Sequence, residues 1–156
     1  MTNKSLTFVS RIREELNGIE RLVQRTLKAW DSARDASDDL YLDSVALNLH
    51  GVYSGIEKIF EMIAKDIDSS LPTGDSWHYD LLKQMATEIQ QVRPAVIKMQ
   101  TFSNLNEYRG FRHIVRNVYT YNISLKKLTP LVGDLQSTYD MFNADMDEFI
   151  QIIEKM

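Results

Sequence analysis

The sequence predicts an all-α protein, an up-and-down bundle of about five helices. Apolar residues recur at steps of three and four along nearly the whole chain, and the alternation typical of strands is scarce. The long apolar stripes favour antiparallel helices joined by short loops. A chain of 156 residues without an internal repeat or a linker is expected to form one domain, residues 1–156.

Composition narrows the class of protein further. The absence of cysteine excludes disulfides, thiol catalysis and cysteine-based metal sites, and it fits a cytoplasmic protein. The first residues lack the apolar core of a signal peptide, and no apolar run reaches the ~18 residues of a membrane span. A net charge of −4 argues against a surface coated for nucleic acid, but it leaves room for a local basic patch.

Two long amphipathic helices are predicted in the first half of the chain. The first runs from about Ser5 to about Ala36, and the second from Asp38 or Asp39 to about Asp68. Their apolar stripes are Val9, Ile12, Leu16, Ile19, Val23, Leu27 and Trp30 in the first helix, and Val45, Leu49, Val52, Ile56, Ile59, Ile63 and Ile67 in the second.

Two glycines lie within the predicted second helix, and a segment with proline and glycine follows it. Gly51 and Gly55 lie four residues apart, a spacing that would let a neighbouring helix approach closely. The segment Leu71–Gly74 contains proline and glycine and is expected to end the helix.

A third helix is expected to begin near Asp75 or Ser76, either of which suits an N-cap. Pro94 should end or kink it, because proline lacks the backbone donor that a helix needs. Residues from about Gln91 to Phe102 are interpreted as an irregular connection with about one helical turn.

Two helices are expected in the C-terminal part. Ser103 is the predicted N-cap of a fourth helix over about 104–121. Ser124 is expected to cap the fifth helix, in which Pro130 would force a bend before the apolar stripe continues to the C-terminus.

The fourth helix carries the strongest functional signal. Its apolar positions are Tyr108, Phe111, Val115 and Val118, and its opposite side and flank carry Arg109, Arg112, His113 and Arg116. No acid follows these residues until Asp134, and arginines without nearby acids favour an anion such as a phosphate. The simpler interpretation is a solvated face whose arginines pair with acids of another helix.

Other titratable residues give weaker signals. His50 is expected to be a packed histidine, and His78 a capping or surface residue. No two histidines have metal-ligand spacing, and Glu57 and Glu61 lack an accompanying Glu-x-x-His pair. We therefore expect no metal site and no cofactor.

The segment Glu107–Tyr119 resembles the signature of HepT-like proteins, a family of the HEPN superfamily of helical-bundle ribonucleases. Their motif is arginine, four residues, histidine, one residue, tyrosine. Arg112 takes the arginine position, Asn117 the histidine position and Tyr119 the tyrosine position. The similarity extends over the first helix, residues 49–57 and residues 77–82.

The resemblance implies a HEPN-like bundle and a toxin of a two-gene toxin–antitoxin module. Such proteins form homodimers in which the motifs of two subunits face one cleft, and they cleave RNA, with tRNA among the candidate substrates, without a metal. Their partner is a minimal nucleotidyltransferase antitoxin that transfers AMP to the motif tyrosine, here Tyr119.

The chemistry of RNA cleavage indicates which role each of these residues could have. Metal-free RNA cleavage needs a base for the 2′-hydroxyl proton and a cation for the charged phosphorane. Arg112 suits the second role, supported by Arg109 and Arg116 as phosphate ligands. Asn117 cannot exchange a proton at neutral pH, so His113 is the nearest substitute for the base.

Three hypotheses follow from the sequence. The first is a ribonuclease toxin with Arg112, His113 and Asn117 as catalytic residues. The second is a catalytically impaired module that keeps the fold and binds RNA, a nucleotide or a nucleotidyltransferase, and Asn117 favours it. The third is a structural partner protein whose arginines form salt bridges between helices or subunits.

Overall fold

The fold was analysed in a computed structural model that describes residues 2–36, 39–117 and 124–156. Within these residues the chain forms six α-helices and no β-strand, which confirms the all-α prediction with one helix more than the expected five. The helices are α1 (Asn3–Ala36), α2 (Asp39–Ile63), α3 (Trp77–Met85), α4 (Met99–Asn117), α5 (Leu125–Gly133) and α6 (Leu135–Glu154).

The two longest helices, α1 and α2, pack against each other through the predicted stripes, whose central residues are almost completely buried. The predicted close approach lies at two glycines. A Cβ atom at Gly55 would lie 2.7 Å from Cγ1 of Ile19, and one at Gly51 would lie 3.2 Å from Cδ1 of Leu22. Glycine is therefore required at position 55 by the proximity of α1.

The second helix extends to the predicted residue, but its last turn has a different form. Residues Ala64–Asp68 form a π-helical turn, and Ser69 after them adopts a left-handed backbone conformation with φ 55°. The carbonyl of Ala64 accepts hydrogen bonds from this end of the helix, including one of 3.0 Å from the Ser70 N–H. The chain thus turns sharply away from α2 before α3 begins.

The prediction that α3 reaches Pro94 is wrong, since the helix ends at Met85. The irregular segment that follows, residues 86–98, is held by the buried Arg93. Its guanidinium donates to both carboxylate oxygens of Asp68, at 2.6 and 2.7 Å, and to the carbonyls of Thr87 and Pro94 at 3.0 Å. These bonds satisfy backbone carbonyl groups of the segment. In a longer helix such groups would be hydrogen-bonded within the helix itself.

The prediction of Ser103 as the N-cap of the fourth helix is also wrong, because α4 begins at Met99. The carboxylate of Asp145 on α6 accepts hydrogen bonds from the Lys98 N–H at 3.0 Å and from the Thr101 hydroxyl at 2.6 Å. A residue distant in sequence therefore binds the residue that precedes α4 and a side chain of its first turn.

The expected fifth helix is divided into two. Ser124 caps α5 as predicted, since its side chain accepts from the Lys127 N–H at 3.3 Å. Pro130 lies inside α5, and the helical chain is interrupted at Asp134, which ends α5 and begins α6. Gly133 directly precedes the interruption, where its low helix propensity favours an end.

The helices enclose one cluster of buried apolar side chains to which every helix contributes. At its centre the rings of Phe60 and Phe142 meet edge to face, with centroids 5.8 Å apart. None of the described helices combines the length and apolarity that crossing a bilayer requires. The packing brings α2, α3 and α4 together, and the candidate site lies where these three helices meet.

Candidate functional site

Helix α4 has the two faces that its sequence predicts. Tyr108 and Phe111 are buried, each 4% exposed, and Val115 packs against the core. Arg109 and Arg112 are half-buried on the other side of the helix. The apolar face anchors α4 in the bundle and thereby fixes the direction of the arginine side chains.

The arginines border a polar cavity of about 550 Å³ between α4 and the beginning of α3. Its lining comprises Arg109, Arg112 and His113 from α4, and Asp75, Ser76, His78 and Tyr79 from the α3 side. A cavity of this size accommodates a nucleotide-sized group, and its arginines favour an anion.

Neither arginine forms a salt bridge with an acid in the part of the chain that the structure describes. Arg109 donates through Nε to the Asn106 side chain at 2.8 Å and lies over the ring of Tyr79, 5.4 Å from its centroid. Arg112 contacts Ser54 through Nε at 3.4 Å. The interpretation of a salt-bridged face therefore has no support from the described contacts of these two arginines.

His78 joins the arginine cavity to a buried acid. Its Nδ1 lies 2.7 Å from Oε2 of Glu57, and its ring stacks on the indole of Trp77 with centroids 3.7 Å apart. The Nη1 atom of Arg112 lies 3.4 and 3.5 Å from the two ring nitrogens of His78. The side chains of α2, α3 and α4 thus form one continuous polar cluster, Glu57–His78–Arg112.

Tyr53 lies beside this cluster in the core. Its hydroxyl is buried and has no hydrogen-bond partner among the described residues. Burial raises the pKa of Tyr53 well above its ordinary value, and the Glu57 carboxylate raises it further, whereas Arg109 and Arg112 oppose the rise. The charges of Glu57, Arg109 and Arg112 therefore act on the Tyr53 hydroxyl.

The structure brings together three of the six residues predicted for the site. Arg109, Arg112 and His113 line the same cavity. Arg116 and Asn117 belong to the last turn of α4, and their side chains lie outside the part that the structure describes. Tyr119, the predicted modification site, also lies outside the described residues.

Sequence reasoning missed two members of the cluster, Glu57 and His78. A signal for Glu57 was present, because it follows Tyr53 by four residues and precedes Phe60 by three, and both aromatic residues are buried. An acid on the buried side of a helix needs a partner. Nothing local indicates that this partner is His78, which is 21 residues away on another helix.

The described His, Asp and Glu side chains include no group of three or more placed to hold a metal ion. The chemistry available in the cluster is that of a carboxylate, an imidazole and a guanidinium. This set can bind an anion, orient a hydroxyl group and exchange a proton.

These features define a helical-bundle protein with an arginine- and histidine-lined cavity. The family model described as "HepT-like protein" matches residues 44–153, more than half of the chain, and the chain belongs to this family. The match extends from α2 to the C-terminal part of α6 and includes every residue of the cavity. No curated protein and no solved structure shows significant similarity to the chain.

Proposed function

We propose that this protein is the toxin of a toxin–antitoxin module and cleaves RNA by a metal-independent reaction. The observation that carries the proposal is the placement of Arg109 and Arg112, which form no salt bridge among the described residues, beside histidines in one open cavity. Membership of the HepT-like family supports the same function.

In the proposed reaction Arg112 binds the scissile phosphate and stabilises the charge that develops on it, and Arg109 and Arg116 bind neighbouring phosphates. His113, on the rim of the same cavity, and Asn117 complete the catalytic group that the sequence predicts. The amide of Asn117 is suited to orienting a ribose hydroxyl, because it both donates and accepts hydrogen bonds.

The test is RNA cleavage by the purified chain in the presence of a metal chelator. We expect Arg112→Ala to lower the cleavage rate by about 100-fold or more, since removing a donor to the developing charge has effects of that size. Arg21→Ala, an exposed arginine on α1, is the matched control and should cleave as the unmodified protein does. No cleavage by the unmodified protein, or equal cleavage by both variants, contradicts the proposal.

The proposed partners are a second copy of the chain and a minimal nucleotidyltransferase antitoxin. The antitoxin would transfer AMP to Tyr119 and thereby block the site near the end of α4. Coexpression with a nucleotidyltransferase encoded by the neighbouring gene should add the mass of AMP to the chain, and Tyr119→Phe should prevent the addition. Light scattering should give twice the mass of one chain for the isolated protein.

A second candidate is a module that binds RNA or a nucleotide without cleaving it. The observation in its favour is Asn117, because an amide at the histidine position of the motif cannot accept the hydroxyl proton. Asn117→His distinguishes the two functions. A strong gain of cleavage in a protein that is otherwise inactive would identify a binding module derived from a nuclease.

A further inference from the structure

The Glu57–His78–Arg112 cluster contains a base whose orientation is determined by its neighbours. A carboxylate accepts hydrogen bonds, so the 2.7 Å contact with Glu57 requires that Nδ1 of His78 be the donor. A neutral imidazole with its proton on Nδ1 carries a free electron pair on Nε2. Glu57 therefore selects the tautomer in which Nε2 is the proton acceptor.

Two neighbours contact the His78 ring. The indole of Trp77 stacks on one face, with an angle of 29° between the planes. Nη1 of Arg112 is almost equidistant from the two ring nitrogens, at 3.4 and 3.5 Å. An atom in the ring plane could not have these distances without overlapping the ring carbons, so Nη1 lies out of the plane of the ring.

Glu57 engages Nδ1, so Nε2, which Nη1 of Arg112 approaches to 3.4 Å, is the ring nitrogen left to accept a proton. The side chain of Glu57 is only 5% exposed, whereas that of His78 is 25% exposed and lines the arginine cavity. The acid is thus enclosed in the bundle, and the imidazole that it orients meets the space where an anion would bind. Buried acids that orient histidines in this way are a recurrent feature of catalytic sites.

We propose that His78, oriented by Glu57, is the proton acceptor of the reaction, and that it performs the role for which Asn117 is unsuited. This inference rests on the proposed ribonuclease function and assigns its base to α3 rather than to α4. His78 is a catalytic residue in this scheme, and Glu57 is a positioning residue. The scissile phosphate binds in the cavity beside Arg112 and His78, within reach of both side chains.

The reaction is a transesterification within the RNA. Nε2 of His78 takes the proton of the 2′-hydroxyl, and the 2′-oxygen forms a bond to the adjacent phosphorus while the bond to the 5′-oxygen breaks. The leaving oxygen takes a proton from water, and His78 later returns its proton to water. The products are a 2′,3′-cyclic phosphate and a 5′-hydroxyl, and no metal, oxidant or reductant takes part.

His113 is the alternative base that the sequence suggests, and it lies on the exposed side of α4. The assignment to His78 rests on its orienting carboxylate, on the indole stacked on its ring and on its contact with Arg112. Glu57 contacts the His78 ring from α2, and the cavity that His78 lines also contains Asp75, Tyr79, Arg109, Arg112 and His113.

The first experiment compares RNA cleavage by the unmodified chain, His78→Ala and His113→Ala, with the thermal unfolding of each recorded as a check of folding. We expect His78→Ala to lose about 100-fold or more of the rate, the usual contribution of a general base. Added imidazole should restore part of this rate, and a series of substituted imidazoles should restore more as their basicity increases. A purely structural role of His78 would not give such a dependence.

The second experiment tests the positioning role of Glu57 through its dependence on His78. Glu57→Ala should lower the cleavage rate, whereas Glu57→Gln should retain more of it, because the amide oxygen can still accept the hydrogen bond from Nδ1. In the His78→Ala background Glu57→Ala should lower the rate no further. An equal additional loss in that background contradicts the role of Glu57.

The outcomes separate this inference from the proposed function. If the unmodified chain cleaves RNA and Arg112→Ala does not, the proposed function stands. Unimpaired cleavage by His78→Ala, or a loss in His78→Ala that imidazole does not restore, then overturns the inference alone. No cleavage by the unmodified chain overturns both.

Discussion

At the scale of single residues, the buried guanidinium of Arg93 holds an irregular segment in place through its hydrogen bonds. Its guanidinium is 1% exposed and the carboxylate of Asp68 is fully buried, so each is the other's main compensation for the loss of water. The same guanidinium donates to three carbonyl groups, those of Gln84, Thr87 and Pro94. One side chain therefore connects the end of α2 with the segment that leads to α4.

We expect Arg93→Met to lower the free energy of unfolding by about 3–5 kcal/mol, because it leaves the Asp68 carboxylate buried without its partner. Arg13→Met is the matched control, since Arg13 pairs with Asp147 at 3.7 Å and both side chains are about half exposed. The control substitution should lower the free energy of unfolding by less than about 1 kcal/mol. Urea unfolding measures both, and similar losses for the two variants would contradict the structural role of Arg93.

At the scale of helices, the ends of α4 and α2 depend on side chains from elsewhere. The bonds from Asp145 to the beginning of α4 are made by a charged acceptor that is 5% exposed. Lys98 also donates to this carboxylate through Nζ at 3.0 Å, and the bond raises the pKa of Lys98. The beginning of the helix that carries the arginines is thus secured by α6.

Replacement of Asp145 by alanine should destabilise the protein by about 2 kcal/mol, the scale of lost hydrogen bonds to a charged group. Asp147→Ala, two residues later on the same helix and half exposed, should change stability by less than about 1 kcal/mol. Chemical denaturation of the pair measures the difference. These hydrogen bonds would be unimportant if the two variants unfolded at the same denaturant concentration.

Two glycine substitutions in α1 and α2 should change the stability of the protein in opposite directions. Gly55→Ala should destabilise by about 1–3 kcal/mol, because its Cβ would lie 2.7 Å from Ile19 and force α1 and α2 apart. Gly18→Ala should stabilise by about 0.5–1 kcal/mol, because α1 gains helix propensity and no atom lies within 4 Å of the new Cβ. Thermal unfolding of both variants distinguishes helix proximity from propensity, and a shift in the same direction contradicts the proposed proximity.

At the scale of the whole molecule, the charge of the chain and the charge of its cavity have opposite signs. The net charge is −4, yet Arg109 and Arg112 border the cavity, together with Asp75 on the α3 side. A polyanion approaching the protein should therefore experience overall repulsion and local attraction. Binding should be confined to the arginine cavity and should depend strongly on salt.

This dependence can be measured with a 2′-deoxy oligonucleotide, which lacks the attacking hydroxyl and is not cleaved. The logarithm of its binding constant should fall linearly with the logarithm of the salt concentration. Arg109→Ala should reduce the slope by about 0.7, the value for one phosphate contact on a single strand. Arg21→Ala should leave the slope unchanged, and a slope insensitive to Arg109 contradicts phosphate binding at this position.

The sequence by itself determined the all-α class, the apolar stripes of α1 and α2 and the basic side of α4. These features are local, because helical periodicity decides which residues share a face and burial of the apolar face orients the other one. It also correctly located the Ser124 cap, which acts on Lys127 only three residues away. Arg109, Arg112 and His113 were grouped for the same reason, since they lie within two turns of one helix.

The tertiary structure alone decided the contacts between residues distant in the chain. Asp145 lies 47 residues from Lys98, Arg93 lies 25 residues from Asp68, and His78 lies 21 residues from Glu57. Each pair brings a charged or polar group to a partner on another segment, and no periodicity encodes which partner that is. The helix ends and the orienting acid of the candidate site therefore followed from the packing of the helices, because buried polar groups must be satisfied by whatever the fold places beside them.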